Sequence, residues 1–185
     1  SGTTAVGTPI YSNINYITIA TAGNATNFGD VTVARYFLSA CASPTRGVVG
    51  GGLGSSSYSN VMDYVTIATT GNATDFGDLT QKRYQLTACA SSTRGVFGGG
   101  ETTSAIKTNV MDYITIASTG NATDFGDLSV GKYGPAACSS LTRGVFGGGY
   151  TGVVSLNTIE YITMATPGNA IDFGDLLREK VFASA

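Results

Sequence analysis

Histidine and tryptophan are absent from the 185 residues, and charged residues make up only 12% of them. Without histidine the usual general bases and the nucleophile–histidine constellations are missing, which argues against an enzyme. A net charge of −2 with no basic run leaves nothing to grip a phosphate backbone, so nucleic acid is not an expected partner. No apolar stretch approaches the ~18 residues of a spanning helix, and membrane insertion is not expected. Cys41, Cys89 and Cys138 are odd in number and occupy equivalent places, against a disulfide framework. They read as small buried thiols. With no histidine to complete a three-thiolate site, no metal is expected, and no sequence motif calls for a cofactor.

What the chain has in abundance is glycine, 26 residues, and repetition. TRGVFGGG stands at 93–100 and 142–149, with TRGVVGGG at 45–52. A second block starts at Tyr16 (YITIATAGNATNFGD), Tyr64, Tyr113 and Tyr161, at steps of 48, 49 and 48 residues. A third, RYFLSACAS, RYQLTACAS and KYGPAACSS, shortens to KVFASA at the end of the chain. Self-similarity at this period is the mark of a repeat architecture.

Each unit reads as four short strands: RYQLTACAS, TRGVFGG, MDYITIA and NATDFGDL. MDYITIA alternates in the strand period, and no stretch keeps helical spacing. Gly71-Asn72 and Gly120-Asn121 sit where a tight hairpin turn is expected. Four-stranded sheets repeated at this period stack face to face as the blades of a propeller. The triple glycines fit strand ends crowding beside an axis.

A glycine doublet closing an apolar strand, a variable loop and a strand ending on an aromatic residue together resemble the kelch repeat, with Phe28, Phe76, Phe125 and Phe173 where kelch units carry tryptophan. The wording TRGVFGGG plus NATDFGDL also resembles repeat proteins of marine phages, encoded among virion and tail-fibre components. That resemblance implies a virion or extracellular location. The expected fold is all-β: a four-bladed propeller of kelch-like four-stranded blades in one domain over 1–185. Its units are approximately 36–79, 84–128, 133–176, and 181–185 plus 3–31. The last blade is shared by the two chain ends, which closes the ring and removes a free edge. The same ends could instead pair between copies, giving a homo-oligomer or a filament.

The shared unit has Thr4 for Arg46, Arg94 and Arg143, Asn15 for Asp63, Asp112 and Glu160, and Asn27 for Asp75, Asp124 and Asp172. Loss of the cation together with both acids suggests that each arginine pairs with one of those acids as a scaffold ion pair. Asp30, Asp78, Asp127 and Asp175 precede Arg35, Arg83, Lys132 and Lys180 by five residues, which reads as a loop-spanning pair. The acids recur with the repeat instead of meeting as one hydrolytic pair. DFG without its companion kinase motifs and GGG without GK[ST] carry no catalytic or phosphate-binding chemistry.

Letters that vary between units are free for other duties. The loops between second and third strands vary most, and would gather Tyr11, Tyr58, Glu101, Lys107 and Tyr150 on one face. Tyrosine with serine, glycine and asparagine suits adaptable recognition of polar surfaces, sugars included. The expected function is therefore a non-catalytic structural or attachment module of a phage virion appendage, with other virion or surface proteins or cell-surface glycans as partners. The alternatives are a carbohydrate-binding lectin and a self-assembling extracellular filament subunit.

Overall fold

The computed structural model describes residues 10–182, and all regular structure there is β-strand. The chain opens with β1 (Asn13–Tyr16) paired antiparallel to β2 (Thr26–Asp30). Three four-stranded antiparallel sheets follow. The first is β3 (Ser39–Ala42), β4 (Arg46–Gly50), β5 (Val61–Thr66) and β6 (Thr74–Asp78), in that spatial order. Next come β7 (Arg83–Tyr84), β8 (Thr87–Ala90), β9 (Arg94–Gly98), β10 (Glu101–Thr102), β11 (Val110–Thr115) and β12 (Thr123–Asp127). Of these, β8, β9, β11 and β12 form the second sheet, and β7 pairs with β10. The third sheet is β13 (Ala136–Ser139), β14 (Arg143–Gly147), β15 (Leu156–Thr163) and β16 (Ile171–Lys180). The four strands expected of each repeat are thus the four strands of each sheet. The part of the expected shared unit that falls on residues 3–9 and 183–185 lies outside the described residues.

The second sheet buries both faces, one against the first sheet and one against the third. Cys41, Val48, Met62, Phe76 and Leu79 of the first pack on Leu86, Phe97, Ile114 and Ile116 of the second unit. Cys89, Val96, Met111, Phe125 and Leu128 of the second pack on Phe146, Ile162 and Met164 of the third. The repeat spacing is what allows this: every unit carries one face of each kind, so any unit fits the next. Glycine sets the approach. A Cβ on Gly95 would come within 2.5 Å of Cys41 Sγ, and one on Gly144 within 2.6 Å of Cys89 Sγ.

The glycine triplets wedge against the start of the following unit. Gly52, Gly100 and Gly149 donate to the carbonyls of Arg83, Lys132 and Lys180 at 2.9, 2.8 and 2.7 Å. The preceding Gly51, Gly99 and Gly148 hold φ of 68°, 67° and 69°, left-handed backbone that glycine enters without the Cβ penalty.

The Gly-Asn pairs do not form two-residue hairpin turns. The β5–β6 connection runs from Ile67 to Ala73, and it reaches sideways to the previous unit. Gly71 N–H donates to Phe28 O at 2.8 Å, and Asn72 Oδ1 accepts from Asp30 N–H at 3.1 Å. Gly120 with Asn121, and Gly168 with Asn169, repeat the clasp. Asparagine is used here as a side-chain acceptor between units, a task that a tight turn would leave undone.

Candidate functional site

The buried charges are scaffold, and they pair differently from the sequence expectation. Asp63 is bound by Arg35 at 2.7 Å, Asp112 by Arg83 at 2.7 Å, and Glu160 by Lys132. Arg46, Arg94 and Arg143 take no acid among the described residues. The register explains this: Arg46 lies opposite Thr66 and Asp63 opposite Val49, three residues or about 10 Å along the strand. Arg46 instead lies 4.2 Å over the Tyr64 ring and donates to Ile116 O of the next unit at 2.9 Å. Arg94 does the same with Tyr113 and Met164 O, and Arg143 covers Tyr161 at 4.4 Å. The five-residue pairs also dissolve, since Asp30 accepts from Ser12 Oγ while Arg35 turns inward.

Arg83 illustrates what the inward cation does. Besides Asp112 it donates to the carbonyls of Gly99 (3.0 Å), Val110 (2.6 Å) and Phe97 (3.2 Å). Thr80 Oγ1 supplies Asp112 with a second donor at 2.5 Å. Burial pulls the guanidinium below its usual value, and the Asp112 charge opposes that. A side chain tied to three carbonyls and one carboxylate is held for structure.

The loop end is different. The residue after each glycine triplet bridges to the Tyr of its own RY or KY pair: Leu53 to Tyr36, Glu101 to Tyr84, Tyr150 to Tyr133. These bridges hold the variable loops over the strand starts. Glu101 is buried there, accepting from Tyr58 OH and Tyr84 OH at 3.2 Å each and pairing with Lys107 Nζ at 2.7 Å. The Glu101 hydrogen bond holds the Lys107 ammonium above its usual range. Burial, then the Glu101 charge, pushes the Tyr84 phenol up. Lys107 also stands 5.5 Å over the Tyr133 ring, and Tyr133 contacts Tyr150 at 5.5 Å. Four of the five residues singled out in the loops thus form one network. Tyr11 is 69% exposed and joins none of it among the described residues.

The network continues through aromatic residues that the loop pattern missed. Tyr58 meets Tyr84 at 4.7 Å, Tyr84 meets Phe37 at 6.1 Å, and Phe37 meets Tyr36 at 5.1 Å. Phe182 stacks on Phe37 at 6.4 Å and reaches Tyr133 at 5.7 Å. Phe37, Gln85, Gly134 and Phe182 are the same repeat position, and a chain of backbone bonds joins them. Gln85 N–H donates to Phe37 O at 3.0 Å, Gly134 N–H to Gln85 O at 2.8 Å, and Phe182 N–H to Gly134 O at 2.8 Å. All four hold positive φ: 54°, 54°, 62° and 53°. For a non-glycine residue this costs roughly 1–2 kcal/mol, and Gly134 shows the residue that avoids it. The sequence signal was present: the letter two places after the repeated cation at Arg35, Arg83, Lys132 and Lys180 reads F, Q, G, F.

Cys41 and Cys89 are buried, and burial pushes each thiol up to about 12. Cys138, expected to be buried too, is exposed on β13. No group of three or more metal-ligating side chains occurs among the described residues. Comparison with protein-family models and with curated proteins finds no match.

Proposed function

We propose that the chain is a non-catalytic four-bladed propeller that serves as an attachment or binding module, its aromatic loop end forming the contact surface. The observation that carries the binding role is the joining of Tyr58, Glu101, Lys107 and Tyr150 with Tyr84 and Tyr133 into one preorganised network. Two groups of observations support ring closure. First, the fourth member of the φ-positive series, Phe182, lies against the first, Phe37. Second, the outer faces match the seams already formed. Ile17 and Ile19 are 62% and 94% exposed, whereas their equivalents Ile114 and Ile116 are buried. Phe173 is 55% exposed, whereas Phe76 and Phe125 are buried. Each open face is a copy of one that packs elsewhere in the chain.

Thiol labelling tests closure. In a native 18.9 kDa particle with the fourth seam shut, Cys138 is covered as Cys41 and Cys89 are, and no thiol reacts quickly with a maleimide before unfolding. One fast thiol in a monomer contradicts closure. A protected Cys138 in a particle of twice that mass or more indicates that the seam forms between copies.

The binding role suits a virion appendage or another extracellular particle that meets cell surfaces. Fluorescently labelled protein is expected to adsorb to intact bacterial cells, and the Tyr58→Ala/Tyr150→Ala double variant to adsorb at least tenfold less. Adsorption that survives periodate but not protease points to a protein receptor; the reverse points to a glycan. Equal adsorption by wild type and double variant, with both folded, removes this surface from the function.

A further inference from the structure

Beside the stacked Phe37 and Phe182 lies a depression of ≈ 240 Å³, also lined by Gln85, Gly134 and the apolar Leu38, Leu86 and Pro135. Its volume falls below the ~300–1,000 Å³ of a drug-sized site, which limits an occupant to about one ring. Phe37 and Phe182 are 50% and 55% exposed, so apolar ring surface is presented to solvent. No protein hydrogen bond engages the Gln85 side-chain amide among the described residues, which leaves one donor group and one acceptor free. None of the residues lining the depression is charged. The nearby Glu101 and Lys107 neutralise one another.

The backbone supplies an independent argument. Phe37, Gln85 and Phe182 keep bulky side chains in a left-handed conformation that Gly134 adopts without them. Strained backbone persists only where the surrounding structure holds it, and such residues cluster at ligand sites. Phe37 and Phe182 pack on Tyr84, Tyr133 and one another, yet half of each remains exposed.

We infer that this depression is a subsite for a neutral pyranose ring, its C–H face on the Phe37 and Phe182 rings and two neighbouring hydroxyls on the Gln85 amide. An aromatic face suits the apolar side of a sugar ring, and an amide offers one donor and one acceptor to a pair of hydroxyls. A quaternary ammonium would also favour aromatic rings, but no carboxylate lines the depression to balance its charge. The inference deepens the binding role proposed above by naming the ligand class, and it rests on that reading for its biological use alone.

Saturation-transfer NMR on the full chain tests it, with the methyl pyranosides of galactose, glucose, mannose, fucose and N-acetylglucosamine as probes. At least one is expected to bind with a dissociation constant on the order of 1 mM, as suits a single small ring. Gln85→Gly and Phe37→Gly each place the unstrained residue at the site. They are expected to hold Tm within about 3 °C of wild type while weakening the sugar at least tenfold. Should Phe37→Gly fail to fold, Gln85→Gly decides alone. The proposal is overturned if no pyranoside gives a signal, if Gln85→Gly binds like wild type, or if tetramethylammonium gives a signal and the sugars do not. Cell adsorption with no pyranoside signal leaves the attachment role standing without this subsite. Pyranoside binding with no adsorption does the opposite.

Discussion

Replacing Asp112 with alanine is expected to lower the unfolding free energy by about 3–5 kcal/mol, because Arg83 would keep its charge in a fully buried place with no counter-ion. Both side chains are completely inaccessible to solvent, and the pair closes at 2.7 Å. Thr80 Oγ1 loses its acceptor in the same variant. Equilibrium urea unfolding measures the loss. Removing both partners, as Arg83→Leu/Asp112→Leu, is expected to recover much of it, since a buried pair exchanged for apolar groups is often neutral or better. A single variant that loses less than about 1 kcal/mol would behave like an exposed pair, and the scaffold role of these charges would then fall.

The second large effect is at the seam phenylalanines. Phe125→Ala is expected to cost about 3–5 kcal/mol, the range for deleting a buried aromatic ring. Phe125 is 2% exposed in the core between second and third units. Phe173 occupies the same repeat position in the third sheet and is 55% exposed. Under the proposed closure Phe173→Ala costs a similar amount, because Ile17 and Ile19 then cover it. Left uncovered, it behaves as a surface substitution worth within about 0.5 kcal/mol. The two variants, unfolded side by side in urea, therefore measure whether the fourth seam is packed, independently of thiol chemistry.

The strand content of each unit was legible because strand periodicity and repetition are local properties. MDYITIA alternates whatever it packs against, and three copies of TRGVFGGG or its near copy mark the same strand three times. The loop network was legible in part. Tyr58, Glu101, Lys107 and Tyr150 stood out as letters that vary, and the β7–β10 ladder and its companion bridges do bring them together. Gln85, Phe37 and Phe182 stood out less, because the first two sit next to the repeated tyrosine and all three read as ordinary strand residues.

The ion pairs show where reading by co-variation fails. Thr4, Asn15 and Asn27 change together in the expected shared unit, which suggested that each arginine touches one of two acids, Asp63 or Asp75 in the case of Arg46. Co-variation in four copies does not distinguish contact from a shared change of environment. Strand register does, and it puts Arg46 beside Tyr64 and Asp63 beside Arg35. The expected Gly-Asn hairpin turn failed for the same kind of reason: the dipeptide that favours such a turn locally finds better partners in the Phe28 and Asp30 backbone.

By itself, then, the sequence determined an all-β chain of repeated four-stranded units with two apolar faces apiece, since periodicity, glycine placement and repeat length are carried by neighbouring residues. The tertiary structure alone decided which cation meets which acid, which glycine clasps which strand, and that Phe37, Gln85, Gly134 and Phe182 meet in one chain of backbone hydrogen bonds. Those outcomes depend on distances between residues far apart in the chain, 28 for Arg35 and Asp63 and 42 for Asp30 and Asn72, and they follow from how the strands and sheets are set against one another.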